Sequence, residues 1–173
     1  KKKKYLNSAI KCANWIVKCS NSKGLVKPVY DFKNEMFIEN QKSWSMLSGT
    51  YHTKIAIGLF NIYKILKRKK YLELAKKIIK NSKKQQSKNG MFPSTKFHTN
   101  LHPHCYSAEG IWVAAKLNNS KSLFNSVISS VNWVKSNMKD NIPARLVFFK
   151  KKKNYNYRVD SISQFLRLLI LLK

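Results

Sequence analysis

The side chains best equipped for chemistry crowd into one stretch, Phe97 to Trp112, FHTNLHPHCYSAEGIW. It holds three of the four histidines, one of the three cysteines and a glutamate. Imidazole and carboxylate groups at this density can act as general acids and bases. That chemistry predicts His52 or His104 working with Glu109 or Asp160. The stretch can also be read as a metal site, because His98, His102, His104 and Cys105 carry nitrogen and sulfur ligands. Their spacing fits no zinc pattern, so zinc at His102, His104 and Cys105 is the less favoured expectation. In a third reading the histidines bond backbone groups at a helix start while Glu109 meets a lysine. Glu109 shares a helical face with Cys105 and Trp112, in a segment apolar enough to bury it against a partner.

Helices must position these groups. Pro103 sits in the first turn of one predicted to run to about Leu117, where a missing N–H costs nothing. Upstream, Lys1 to Cys19 carries Leu6, Ile10, Ala13, Ile16 and Val17 on one stripe and lysines outside it, the pattern of a surface helix. Cys12 and Cys19 are expected as packed thiols on that helix. Residues 25 to 47, with Pro28, Glu35 and Glu39, read as an irregular connection. Ser48 offers an N-cap for a helix reaching about Leu66, apolar nearly all round. The segments from Tyr71 to about Gln86 and Lys121 to about Asn137 are amphipathic. Lys150 to Asn156 reads as a solvated loop, and a last apolar helix begins near Asp160.

Amphipathic and apolar helices thus alternate, three of each. Asn14-Trp15-Ile16 and Asn132-Trp133-Val134 look like one position in two copies, with Ile78-Ile79 between them. Turns follow at Gly24, Gly90 and Asp140-Asn141. The apolar helices open on comparable polar runs, Tyr51 to Lys54, His104 to Ser107 and Arg158 to Ser161. A repeat of this length, with outer and inner helices in turn, predicts antiparallel helical hairpins arranged as part of an α/α toroid.

The run SGTYHTKIAIGLFNIYKI, then Gln85-Gln86 with Asn89-Gly90-Met91-Phe92, then a histidine loop ahead of YSAEGIW, resembles the six-hairpin α/α-toroid proteins of carbohydrate metabolism. Among these, the exopolysaccharide-biosynthesis type is the nearest in pattern. The resemblance covers about residues 44 to 170 and implies an all-α, (α/α)6-barrel-like fold. Such rings close with five to seven hairpins, whereas this sequence supplies three, so residues 1–173 are read as one incomplete domain of a longer protein. It further implies a sugar-containing ligand at the mouth where inner-helix N-termini converge. There the expected catalytic residues are His52, His104, Glu109 and Asp160. Trp44, Tyr51, His102, Tyr106, Arg158 and Gln164 are expected to bind substrate, with Trp112 a further stacking candidate. Hydrolysis, elimination and epimerisation all fit.

Composition sets the competing expectation. There are 35 basic residues against 7 acidic ones, for a net charge of +28. A polyanion partner is the ordinary inference. Only four of the basic residues are arginine, however, and phosphate and base readout favour arginine's planar fork, so no specific nucleic-acid partner is expected. The alternative function is a non-catalytic helical scaffold binding acidic partners through its lysine faces. An odd number of cysteines without CxxC spacing fits a reducing compartment, the cytoplasm. No apolar run is long enough to span a bilayer.

Overall fold

The apolar periodicities become six α-helices among the described residues. The computed structural model describes residues 2–38, 43–150 and 152–173. Helices α1 (Lys2–Lys18), α3 (Lys69–Gln85) and α5 (Lys121–Lys135) are amphipathic, and α2 (Thr53–Leu66), α4 (Leu101–Asn118) and α6 (Val159–Leu171) are the apolar ones. The apolar helices neighbour one another in series, with α4 between α2 and α6. Outside them, α3 lies on α2, α5 on α4, and α1 against both α2 and α3. The outer helices bury one stripe each, such as Tyr71, Leu74, Ala75, Ile78 and Ile79 of α3, because their other faces are lysine-rich. Helix α4 has neighbours on several sides and buries residues all round its axis, including Cys105, Ala108, Glu109 and Ile111. The alternation expected from the sequence is therefore the architecture.

Turn chemistry behaves as the sequence suggests. Gly24 and Gly90 adopt φ of +79° and +94°, and Asp140 and Asn141 adopt +50° and +62°, conformations these residue types tolerate best. A Cβ at Gly90 would also stand 2.1 Å from the Ser129 carbonyl oxygen, so the turn is pressed against α5.

Several local expectations are corrected. Ser48 does not cap α2; its hydroxyl donates to the Val26 carbonyl, and a 3-10 turn over Thr50–His52 leads into the helix. Residues 25 to 47 are not wholly irregular. They contain a hairpin of β1 (Val29–Asp31) and β2 (Met36–Ile38) and a 3-10 turn over Trp44–Met46. Glu39 lies outside the described residues. The lysine-rich segment after residue 145 is also more than a loop. After β3 (His98–Asn100), the short strands β4 (Met138–Lys139) and β5 (Ile142–Pro143) pair with each other. Strands β6 (Leu146–Phe148) and β7 (Lys153–Asn154) then join β3 in a three-stranded antiparallel sheet. Alternation over two or three residues is too short to register as a strand pattern, and tertiary pairing decides it. Cys19 is buried as expected, but Cys12 is exposed.

Helices α2 and α4 approach closely. A Cβ at Gly110 would lie 2.4 Å from the Thr53 backbone. Thr53 Oγ1 donates toward the Tyr106 and Ser107 carbonyls (3.1 and 3.0 Å), and Ser107 Oγ donates to Thr50 Oγ1 at 2.9 Å. Gly58, on the exposed side of α2, faces open space. Gly110→Ala is therefore expected to destabilise the fold by about 2 kcal/mol or more through overpacking. Gly58→Ala is expected to stabilise it by up to about 1 kcal/mol through helix propensity. Urea unfolding of the two variants beside the parent checks both signs.

Candidate functional site

Helices α2, α4 and α6 run side by side, so that the first turns of α4 and α6 meet at one end, with the segment leading into α2 beside them. Asp160, in the first turn of α6, stands with Oδ2 3.2 Å from His102 Nδ1 in the first turn of α4. Arg158 forks onto the same carboxylate, Nε to Oδ1 at 3.0 Å and Nη2 to Oδ2 at 2.6 Å. The Ser161 amide donates to Oδ1 at 2.8 Å, as a carboxylate at a helix start allows. These bonds, Arg158's first, hold the Asp160 carboxyl below the ordinary carboxylate range. The aromatic rings gather beside this pair. His102 meets Tyr106 edge-on at 4.5 Å and Trp44 at 6.2 Å, and Trp44 meets Tyr51 edge-on at 5.0 Å. Tyr51 OH donates to the Leu47 carbonyl at 2.8 Å, and its ring lies 4.2 Å from that of His52. The structure thus brings together Trp44, Tyr51, His52, His102, Tyr106, Arg158 and Asp160.

Glu109 sits one helical turn beyond Tyr106 and is 4% exposed. Its Oε2 pairs with Lys54 Nζ of α2, and its Oε1 accepts from Arg167 Nε of α6 at 3.1 Å. One carboxylate therefore ties the three inner helices together. Lys54 also lies over the Tyr106 ring, 4.6 Å from its centroid, which links this clamp to the aromatic group. The expectation that Glu109 is buried and meets a lysine holds. Sequence reasoning missed Arg167, although an arginine inside the apolar run FLRLLILL signals a buried or facing acid. Deeper on these faces, Trp112 Nε1 and Gln164 Oε1 are buried without a hydrogen-bond partner among the described residues.

His104 is placed differently from His102. It is fully buried, with Nδ1 accepting from the Phe92 amide (3.2 Å) and Nε2 3.1 Å from the Ser130 carbonyl. That pattern assigns the proton to Nε2, which donates to Ser130. The ring also packs 4.6 Å from Trp133 of α5. It ties α4, α5 and the 92 loop together, and its two ring nitrogens face backbone rather than the mouth. The neighbouring Cys105 thiol is pushed up by burial and by the Glu109 carboxylate, which leaves it a protonated packing group. His98 faces Phe148 and Thr95. Among the described residues no three His, Cys, Asp or Glu side chains converge as a metal site would need. A cavity of about 770 Å³ lies elsewhere, under β6, lined by residues including Trp133, Asn137 and Phe148.

No family model matches the sequence, and no curated protein does either. Solved structures do match. The chain is similar to D-mannose isomerase, with a TM-score of 0.73 at 11% identity over 98% of this chain and 46% of that one. It is similar to cellobiose 2-epimerase from Bacillus thermoamylovorans, at 0.68 and 13% over 91% and 45%. An α-1,6-mannanase from Salegentibacter sp., an inactive variant solved with α-1,6-mannotriose, gives 0.62 and 12% over 97% and 64%. The chain spans about half the length of the first two. Identities this low speak for the fold alone. With the alternating inner and outer helices, that fold is part of an α/α toroid.

Burial of His104 makes stability depend on pH. Burial lowers its pKa to about 4 in the folded chain, outweighing the Nε2–H bond to the Ser130 carbonyl, which raises it. The unfolded imidazole titrates near pH 6.5, so the unfolded chain binds the extra proton between the two values. Stability present above about pH 6.5 is expected to fall as pH drops through about 4, by on the order of 3 kcal/mol. Denaturation at pH 7, 5.5 and 4 checks this, and a His104→Gln variant should show a shallower decline.

Proposed function

We propose that the mouth formed by the first turns of α4 and α6 and the segment leading into α2 is a carbohydrate site carrying out proton-transfer chemistry on a sugar. One observation carries the reading: Trp44, Tyr51 and Tyr106 surround a His102–Asp160 pair at the place where the three inner helices meet. Aromatic faces take the apolar C–H side of a pyranose, while nearby polar groups bond its hydroxyls. The similarity to a mannose isomerase, a cellobiose epimerase and a mannanase supports a sugar ligand on this fold.

In the proposed chemistry Asp160 accepts from His102 Nδ1–H, which leaves Nε2 as the atom that takes or returns a proton. Asp160 works with a histidine as expected, but as the group that orients and polarises the ring, and His102 supplies the imidazole in place of His104. Two-carboxylate hydrolysis fits less well, because Glu109 is occupied by both Lys54 and Arg167. Isomerisation, epimerisation or elimination needs only a base and an acid beside the sugar carbon. His52 backs the Tyr51 ring. We place residues 1–173 as one portion of a larger ring. The favoured setting is surface-polysaccharide metabolism in the cytoplasm, in keeping with three unpaired cysteines. Within the described residues no helix is long and apolar enough to cross a membrane.

A thermal-shift and calorimetric screen of mono- and oligosaccharides is expected to find a stabilising ligand. Trp44→Ala or Tyr106→Ala should weaken it at least tenfold, about 1.4 kcal/mol, the scale of one lost stacking contact. Asp160→Asn is expected to leave binding within threefold while lowering turnover of a bound sugar by two or more orders of magnitude. Absence of any sugar binding, or binding unmoved by the Trp44 and Tyr106 variants, overturns the assignment.

A further inference from the structure

The charges around the mouth are layered. The Glu109 side chain is 6% exposed, whereas its partners Lys54 and Arg167 are 36% and 57% exposed. Arg158 is 60% exposed above Asp160 at 42%. An approaching ligand therefore meets the cations first, with one carboxylate hidden beneath them. The residue types strengthen the point. The chain has four arginines among 35 basic residues, and two of those four, Arg158 just ahead of α6 and Arg167 on it, turn their forks to the inner-helix acids. Lysine drift on a solvated surface would not place an arginine on each of the two inner-helix acids.

Each guanidinium carries five N–H donors, and these two spend only Nε and Nη2 on the acids. The described residues give neither Nη1 group a partner. Planar donors next to aromatic rings suit a carboxylate on a pyranose, which binds two parallel N–H groups while the ring stacks. Resting on the sugar-site reading above, we propose that the ligand is an anionic saccharide bearing carboxylate groups, selected by Arg158 and Arg167.

The test compares tetragalacturonate with its methyl ester, which keeps the sugar chain and removes the charge. Binding is measured by calorimetry at 150 mM salt, where weak attraction to scattered lysines is screened. The acid is expected to bind at least tenfold more tightly than the ester. An Arg158→Met, Arg167→Met double variant should reduce that ratio to near one, while Arg68→Met, at the start of α3, leaves it unchanged. Arg167→Lys, which keeps a cation beside Glu109, serves as the variant whose folding is secure and should lower the ratio at least threefold.

Equal affinity for acid and ester overturns the anionic class while leaving the sugar site standing. A preference for acid that survives the double variant belongs to the general lysine surface and overturns the assignment to these arginines. If neither compound nor any neutral oligosaccharide binds, the sugar-site reading itself fails.

Discussion

The arrangement depends on how closely α2 and α4 approach at Thr53 and Gly110. A glycine here lets one helix backbone lie against the other, with no room for even a methyl group. Such contact would strand polar groups, so the sequence supplies hydroxyls to satisfy them. Thr53, Ser107 and Thr50 form a connected series of bonds across the seam, and Ser82 of α3 donates to the Thr50 carbonyl at 3.3 Å. Buried hydroxyls with partners cost little, whereas the same groups without partners would cost several times the bond. This seam fixes how the start of α2 lies against the middle of α4, and hence where Tyr51 stands relative to His102 and Tyr106.

The second constraint is the Glu109 clamp. An isolated carboxylate at this depth would be costly, and a buried ion pair often does no better than apolar packing. Its value here lies in geometry. Lys54 comes from α2 and Arg167 from α6, so a single acid fixes the angular positions of both helices about α4. Lys54 in turn covers Tyr106. The clamp and the aromatic group are thus one connected structure, and disturbing either moves the other. His104 plays the matching part on the outer side, joining α4 to α5 and to the 92 loop with a neutral ring.

The lysine-rich faces have a plainer role. Most lysines of α3 point to solvent, opposite Tyr71, Leu74 and Ile78. Exposed charge at this density in general favours solubility and draws polyanions without selecting among them. Selectivity requires fixed geometry, which exposed lysines lack and the carboxylate-braced Arg158 and Arg167 possess.

Much of this was legible in the residues. Apolar periodicity located all six helices to within a few residues, because burial acts on every turn of a helix and repeats its signal. The polar openings of α2, α4 and α6 marked the end where side chains meet, and the scarcity of acids singled out Glu109 and Asp160. Which histidine faces the mouth was not legible. His102 and His104 are two residues apart, so they lie on nearly opposite sides of α4, and their placement depends on the rotation of that helix. That rotation is set by the Gly110 contact with Thr53 and by partners on α2 and α6, more than fifty residues away in either direction. The pairing of β3 with β6 and β7 was equally hidden, since strands of two or three residues carry no periodicity of their own. Sequence by itself determined which helices are inner and outer and which residue types gather at the mouth. Only tertiary packing decided which side chains touch, because helix rotation is fixed by contacts between segments rather than within them.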